Sequence, residues 1–306
     1  MNDQQKIVKI IGGLGNQMFQ YAFYRYLKLK GYNARIDISA FRNYQLHYGF
    51  ELQRIFKLDT SEAEAKQADL DAVIDQAPLF KVRKIVDRKL FGASNKLVKD
   101  SHWVEPNYSA YYPEAAFQDK SYLEGYWQND AYLNDQRDEL LHLYHWQNIS
   151  PRNQELIAKM QTENAISVHI RRLDSPHSIK QFMYMARLRL VWRVASTRYY
   201  KRAISYFKTK VEQPVFYVFT DNIEWFKKNL AIADNMTLVD WNRGQESNQD
   251  MLLMSQCKHN IISMSSFSWW GAWLNKNQDK IVVAPKKWAV RFKQELGIIP
   301  KTWIRL

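Results

Sequence analysis

The chain has 306 residues, enough for a large core and, at usual domain sizes, about two domains. Its 44 aromatic residues against 10 Gly and 8 Pro exclude a disordered chain, and Cys257, the single cysteine, excludes an intrachain disulfide or a cysteine zinc cluster. The net charge is +13, all of it in residues 151–306, because residues 1–150 balance at 19 basic and 19 acidic. A basic half calls for an anionic partner: nucleotide phosphate, nucleic acid or an acidic membrane surface.

KIVKII (6–11) predicts a first strand, GGLGNQ (12–17) a glycine-rich turn, and residues 18–28 a helix. Strand, glycine turn and helix let a backbone approach a ligand closely, although the spacing is not that of a dinucleotide site. ARIDIS (34–39) reads as a second strand. The loop after it, FRNYQLHYGFEL (41–52), offers His47, Tyr48 and Glu51 either as a sugar-binding surface or as an ordinary solvated loop. Residues 60–100 read as helical and charged. Within them KVRKIVDRKL (81–90) is basic on one side, the pattern of an exposed helix face. SYLEGYWQND (121–130) predicts a strand entering a turn, and 131–147 a helix. NISPRNQE (148–155) carries the proline and polar residues of a boundary, dividing the chain into 1–150 and 151–306.

The second half alternates strands (165–170, 215–220, 236–240, 259–264, 281–285) with helices (198–210, 222–231, 248–257, 267–274). That alternation predicts an α/β fold on a doubly wound parallel sheet, whose ligands sit at the carboxyl ends of the strands. His169, Arg171, Asp221, Ser265 and Ser266 fall at or just after those ends. HIRRLD (169–174) places two arginines beside a buried strand. They need partners, either a diphosphate held by paired guanidinium hydrogen bonds or a structural pair such as Arg172 with Asp174. In SNQDMLLMSQCKHNIISMSSFSWWGAWLN (247–275), Asn248 or Ser247 is placed to cap a helix. Ser265 and Ser266 open another, either as a simple cap or as an anion site built on free helix N–H groups. KQFMYMARLRLVWRVASTRYYKR (180–202) has seven basic and no acidic residues among apolar ones. It reads either as a helix resting on an anionic membrane or as one packed on its own domain with arginines reaching water. No run of ~20 apolar residues could span a membrane. MNDQQKIVKII lacks the apolar core of a signal peptide, so the cytoplasm is the expected compartment, with peripheral contact at the membrane's inner face as an option.

Three blocks, GGLGNQMFQYAF, HIRRLD and QDMLLMSQCKHNII with SSFSWWGAWL, resemble in wording and order the motifs of glycosyltransferase family 11, the bacterial α-1,2-fucosyltransferases. GYWQ (125–128) and the tail APKKW…IPKTWIRL add to the likeness, which spans essentially the whole chain. The resemblance implies a GT-B-like fold: two Rossmann-type domains across a cleft, the N-terminal one on the acceptor side, the C-terminal one binding GDP-β-L-fucose, and the last segment packing back on the first. It implies Arg171 on the β-phosphate, His169 and Asp250 near the guanosine, and Ser265, Ser266 and Phe267 cradling the diphosphate, with Arg172 beside them. Gly15, Asn16 and Gln17 become donor-side contacts, and Tyr126, Trp127 and Gln128 part of the acceptor-side wall with His47 and Glu51. The implied reaction is inverting transfer of fucose to the 2-hydroxyl of a terminal galactose, on an oligosaccharide or lipid-linked glycan. Arginine and helix N–H groups would neutralise the departing GDP, so neither cofactor nor metal is expected. Asp174 is the nearest motif carboxylate for a base, with Asp37 and Glu51 outside it.

Three positions depart from the pattern: Leu173 for Gly, Met264 for Asn and Asn222 for Asp. Leu173 and Met264 favour an alternative, a degenerate relative that binds GDP-sugar or glycan with little or altered transfer. Nucleic-acid binding is not expected, because no helix-turn-helix, zinc or RNA-motif pattern is present.

Overall fold

The computed structural model describes residues 2–42, 47–90, 99–107, 109–172, 194–230, 235–288 and 297–306. By contacts the chain divides into two compact units, Met1–Gln147 with Leu296–Ile299, and Asn148–Glu295 with Pro300–Leu306.

The first unit is built on β1 (Asn2–Lys9), β2 (Tyr32–Asp37), β3 (His102–Val104) and β4 (Tyr122–Glu124). They form one parallel sheet in the order β2-β1-β4-β3. Its principal helix, α1 (Leu14–Leu29), buries most of its length. Shorter helices are α2 (Glu51–Phe56), α3 (Gln67–Val73), α4 (Phe80–Leu90) and α5 (Arg137–Leu143). The expected helix over 131–147 is α5 preceded by two 3-10 turns. Asn129 accepts from the Ala131 N–H, and the Gln136 amide donates to the Ala22 carbonyl, so these side chains bend the segment back onto α1. Residues 60–66 are not helical: Ile36 and Glu64 form a parallel bridge there. The core is aromatic. Phe23 of α1 stacks on Trp127 at 3.7 Å between ring centroids, and Trp103 lies 5.3 Å from Trp127. Lys6 is wholly buried in β1, its ammonium bonded to the Phe117 and Lys120 carbonyls at 3.0 and 2.6 Å. Burial lowers its pKa to about 8 despite the nearby Asp119 charge.

The second unit begins with α6 (Pro151–Thr162), Pro151 at its first turn, and carries a six-stranded parallel sheet. Its strands are β5 (Asn164–Ile170), β6 (Pro214–Thr220), β7 (Met236–Val239), β8 (His259–Ile261), β9 (Val282–Ala284) and β10 (Ile304–Arg305). The order is β10-β9-β8-β5-β6-β7, every pairing parallel. Helices α7 (Thr197–Lys210), α8 (Ile223–Asn229), α9 (Asn248–Gln256) and α10 (Ser266–Trp273) connect the strands. The α/β class with parallel sheets is as the sequence predicts. Side chains of β5, β6 and α7, from Ile166 and Phe216 to Tyr200 and Phe207, close the core. Among the described residues no helix is long and apolar enough to cross a membrane.

Candidate active site

In the second unit the predicted residues gather where the sheet's carboxyl ends lie. His169, near the end of β5, is 7% exposed and shares a 2.8 Å hydrogen bond between Nδ1 and Ser263 Oγ, in the loop after β8. Burial and then the Arg171 charge lower its pKa to about 3, so the ring is neutral at physiological pH. Two tyrosines of α7 fix the surroundings. The Tyr200 hydroxyl donates to the His169 carbonyl, and that of Tyr199 to the carbonyls of Ile262 and Val283.

Asp221, just past β6, organises both arginines. One carboxylate oxygen accepts from the Arg172 backbone N–H at 2.8 Å, and the other meets the Arg171 guanidinium at 3.3 Å. Arg171 remains 42% exposed at its side chain. Arg172 instead lies over the Trp225 ring at 4.2 Å and donates to the Ala195 carbonyl. One arginine thus faces outward and the other is built into the unit. Asp174 and Leu173, with most of 180–202, lie outside the described residues. Asn222 caps α8, accepting from the Trp225 N–H at 2.8 Å.

Ser265 is the N-cap of α10, its Oγ accepting from the Phe267 N–H at 3.3 Å. Ser265, Ser266 and Phe267 are half-buried, while the rest of the helix to Trp273 is buried. The first turn is therefore the least buried part of the helix. Phe267 also lies 5.8 Å from the His169 ring. Met264 packs against the sheet's apolar core.

Asp250 stands in the first turn of α9, which packs against α10. Neither Ser247 nor Asn248 caps this helix through its side chain as expected; a 3-10 turn, Gly244–Ser247, runs straight into it. Asp250 accepts from the Asn242 amide at 2.8 Å. Burial raises its carboxyl to about 7, against the lowering effects of that hydrogen bond and of Arg243. Behind Asn242 runs a buried polar chain that motif reading missed. The Asn153 amide donates to Asn242 at 2.9 Å and to Gln249 at 2.6 Å, and the Trp241 indole donates to Asn153 at 2.8 Å. The only signal for it was the density of Asn and Gln in WNRGQESNQD.

In the first unit the glycine turn closes β1 onto α1. Gly12 has φ +94°, where a side chain would strike the Asn16 amide. Gly15 and Gln17 are buried in the first turns of α1. Gln17 spends its amide on the carbonyls of Gly12 and Gly49 and on the Glu51 N–H. Glu51 is 5% exposed, accepts from the Leu14 N–H and pairs with Arg54, and burial raises its pKa. Asp37 is buried, accepting from the Tyr122 hydroxyl at 2.6 Å. Trp127 is fully buried in the aromatic core, and Gln128, 1% exposed, donates to Asn16 at 2.8 Å. These side chains build the loop rather than face a ligand, because burial and hydrogen bonds already claim them. Those presenting surface are Asn16, His47, Tyr48 and Tyr126, the last two 48% and 39% exposed. Among the described residues no cluster of three His, Cys, Asp or Glu could hold a metal.

The profile of glycosyl transferase family 11 matches residues 5–306. An Escherichia coli α-1,2-colitosyltransferase is 32% identical over 98% of this chain and 98% of its own. An O-antigen biosynthesis glycosyltransferase of Escherichia coli, WbnK, is 32% identical over 96% and 98%. A galactoside α-(1,2)-fucosyltransferase 1 of Lagothrix lagotricha is 28% identical over 45% of this chain and 37% of its own. The chain belongs to glycosyl transferase family 11.

Proposed function

We propose that this glycosyltransferase moves L-fucose from GDP-β-L-fucose to the 2-hydroxyl of a terminal galactose, with inversion and without a metal. The observation that carries the reading is the arrangement around β5, β6 and β8. A half-exposed Arg171 is held by Asp221, a helix N-terminus is opened by serines, and Asp250 is held by Asn242. Arg171 takes the β-phosphate, while the first turn of α10 with Ser265, Ser266 and Phe267 takes the remaining diphosphate oxygens. Asp250 accepts from guanine N–H groups, beside the neutral His169. The second unit is then the donor side. The first is the acceptor side, offering Asn16, His47 and Tyr126.

In the reaction the acceptor oxygen bonds to the fucosyl carbon as its bond to phosphate breaks on the opposite face. GDP leaves with the electron pair, and the acceptor proton passes to a carboxylate, a role proposed for Asp174. The α-1,2 linkage is supported by two relatives whose names carry it, and a glycan of the O-antigen type by a third. A second donor, colitose, is favoured by the colitosyltransferase relative; colitose is fucose without its 3-hydroxyl.

The test is GDP release from GDP-fucose and from GDP-colitose with lactose as acceptor, in EDTA. Turnover with GDP-fucose supports the reading, and turnover with GDP-colitose alone reassigns the donor. Loss of turnover in EDTA with recovery on adding magnesium or manganese removes the metal-free claim. GDP-fucose binding without turnover on any galactoside would favour the degenerate alternative, which Met264→Asn and Leu173→Gly would then probe. Asp174→Asn with near-normal turnover would remove Asp174 as the base.

A further inference from the structure

The buried chain of amides behind Asp250 runs in one direction only. The Trp241 indole N–H, which can donate but not accept, bonds to Asn153 Oδ1 at 2.8 Å. The Asn153 amide nitrogen is thereby left to donate, to Asn242 Oδ1 at 2.9 Å and to Gln249 Oε1 at 2.6 Å. Gln249 is oriented independently of Trp241. Its oxygen also accepts from the Ser150 backbone N–H at 3.0 Å, and its nitrogen donates to the Glu246 carboxylate. With its own oxygen taken, Asn242 turns its nitrogen to Asp250 Oδ1 at 2.8 Å and, more distantly, to Asn153 Oδ1 at 3.4 Å. Two groups that cannot accept, and one carboxylate that cannot donate when ionised, impose the same polarity on the whole chain.

Asn153 is fully buried and Asn242 nearly so, while Asp250 at the end of the chain is half-buried. The orientation of Asn242 decides what Asp250 can do. With the amide nitrogen towards it, the ionised carboxylate is favoured and can accept from both N–H groups of a guanine edge. With the amide turned over, an oxygen would face Asp250 and favour the protonated carboxyl, which cannot accept from both. An adenine edge, with one N–H beside a bare ring nitrogen, gains far less from the carboxylate. Of the charges nearby, Arg243 favours the ionised form. Among the elements packed on α9, α6 lays Arg152 over the Trp241 ring at 3.7 Å and exposes Glu155 and Lys159. The 3-10 turn holds Glu246 to Gln249, β5 brings the neutral His169, and α10 carries no charge.

We propose that Asn153 is a positioning residue for the donor: by clamping the Asn242 amide in one orientation it keeps Asp250 an acceptor for two N–H groups, and so sets a preference for guanine over adenine nucleotides. This rests on the reading that guanine lies at Asp250. Without the clamp Asn242 is free to turn over and stabilise the protonated carboxyl. One neutral hydrogen bond of ordinary strength raises the titration midpoint of Asp250 by about one pH unit.

The test is titration calorimetry of GDP and of ADP on the full chain at pH 7 and pH 8.5. A second readout without ligand is the titration of the carboxyl carbon resonance that Asp250→Asn removes. In Asn153→Ala the midpoint should rise by about one pH unit, and the ratio of GDP to ADP affinity should fall about fivefold at pH 7 and return to within about 1.5-fold of wild type at pH 8.5. ADP affinity should not change. Trp241→Phe keeps the ring under Arg152 and removes only the indole donor, so it should move both readouts the same way, by about twofold in the ratio, and it carries the test should Asn153→Ala misfold. An unmoved midpoint overturns the proposal. So does a loss equal for GDP and ADP, or one that pH 8.5 does not restore, because a merely structural role would give that. Asp250→Asn separates the two claims. If it keeps the wild-type preference for GDP, the placement of guanine at Asp250 fails; if it loses that preference and Asn153→Ala does not, the role of Asn153 alone fails.

Discussion

Taking the pH from about 8 to about 6 should weaken GDP binding about tenfold, because Asp250 carries a carboxyl displaced to about 7. Burial is the main cause, and the Asn242 amide, 2.8 Å away, opposes it by favouring the ionised form. On the proposed reading only the ionised carboxylate accepts from the guanine edge. About nine-tenths of the protein is competent at the upper pH and about one-tenth at the lower. Asn242→Ala removes the opposing bond, so the midpoint should move to higher pH. A hydrogen bond to a charged group is worth about 1.5–3 kcal/mol, so affinity at neutral pH should fall by about tenfold or more. Asp250→Asn should bind GDP weakly with little pH dependence. The assay is titration calorimetry of GDP at fixed ionic strength, with ADP in parallel as a ligand that shares the phosphate titration but lacks the guanine edge. Equal pH slopes for GDP and ADP, or a wild-type slope in Asp250→Asn, would refute the reasoning. The folded carboxyl is raised from 3.8, so the stability it contributes is fully present below that value and lost as pH rises through about 7. Asp250→Asn should therefore melt higher than wild type near pH 8 and alike near pH 4.

Arg171→Ala should weaken GDP binding by about tenfold to a hundredfold and GMP binding far less, since a charge-assisted bond to the β-phosphate is lost. Equal losses for the two nucleotides would place Arg171 elsewhere. Trp127→Ala should cost about 3–5 kcal/mol of folding stability, read by denaturant unfolding, because it empties the centre of the aromatic core. A stable Trp127→Ala protein with only an acceptor defect would return that ring to the acceptor wall. Turnover in EDTA should match turnover without it.

The second unit was the more legible because its longer strands are parallel and buried on both faces. AISVHI and VFYVFT therefore read as unbroken apolar runs, and the register follows. The first unit hid more. Its β3 and β4 are three residues each, too short to show a period, and α5 is cut down by tertiary hydrogen bonds from Asn129 and Gln136. At the site, strand-end residues could be placed from sequence because the chain leaves the sheet there. The Asn153–Asn242–Gln249 chain could not, since it joins residues about ninety apart and polar amides in a loop read as solvated. Trp127 and Gln128, which the resemblance of GYWQ put on the acceptor-side wall, are buried, one in the aromatic core and the other beside Asn16.

The account stands or falls on the glycosidic bond. The protein would be incubated with GDP-β-L-fucose and lactose, and the trisaccharide analysed by NMR for anomeric configuration and linkage position. The account predicts fucose in α configuration on O2 of galactose. A β-linked product, or fucose on any other hydroxyl, would contradict it.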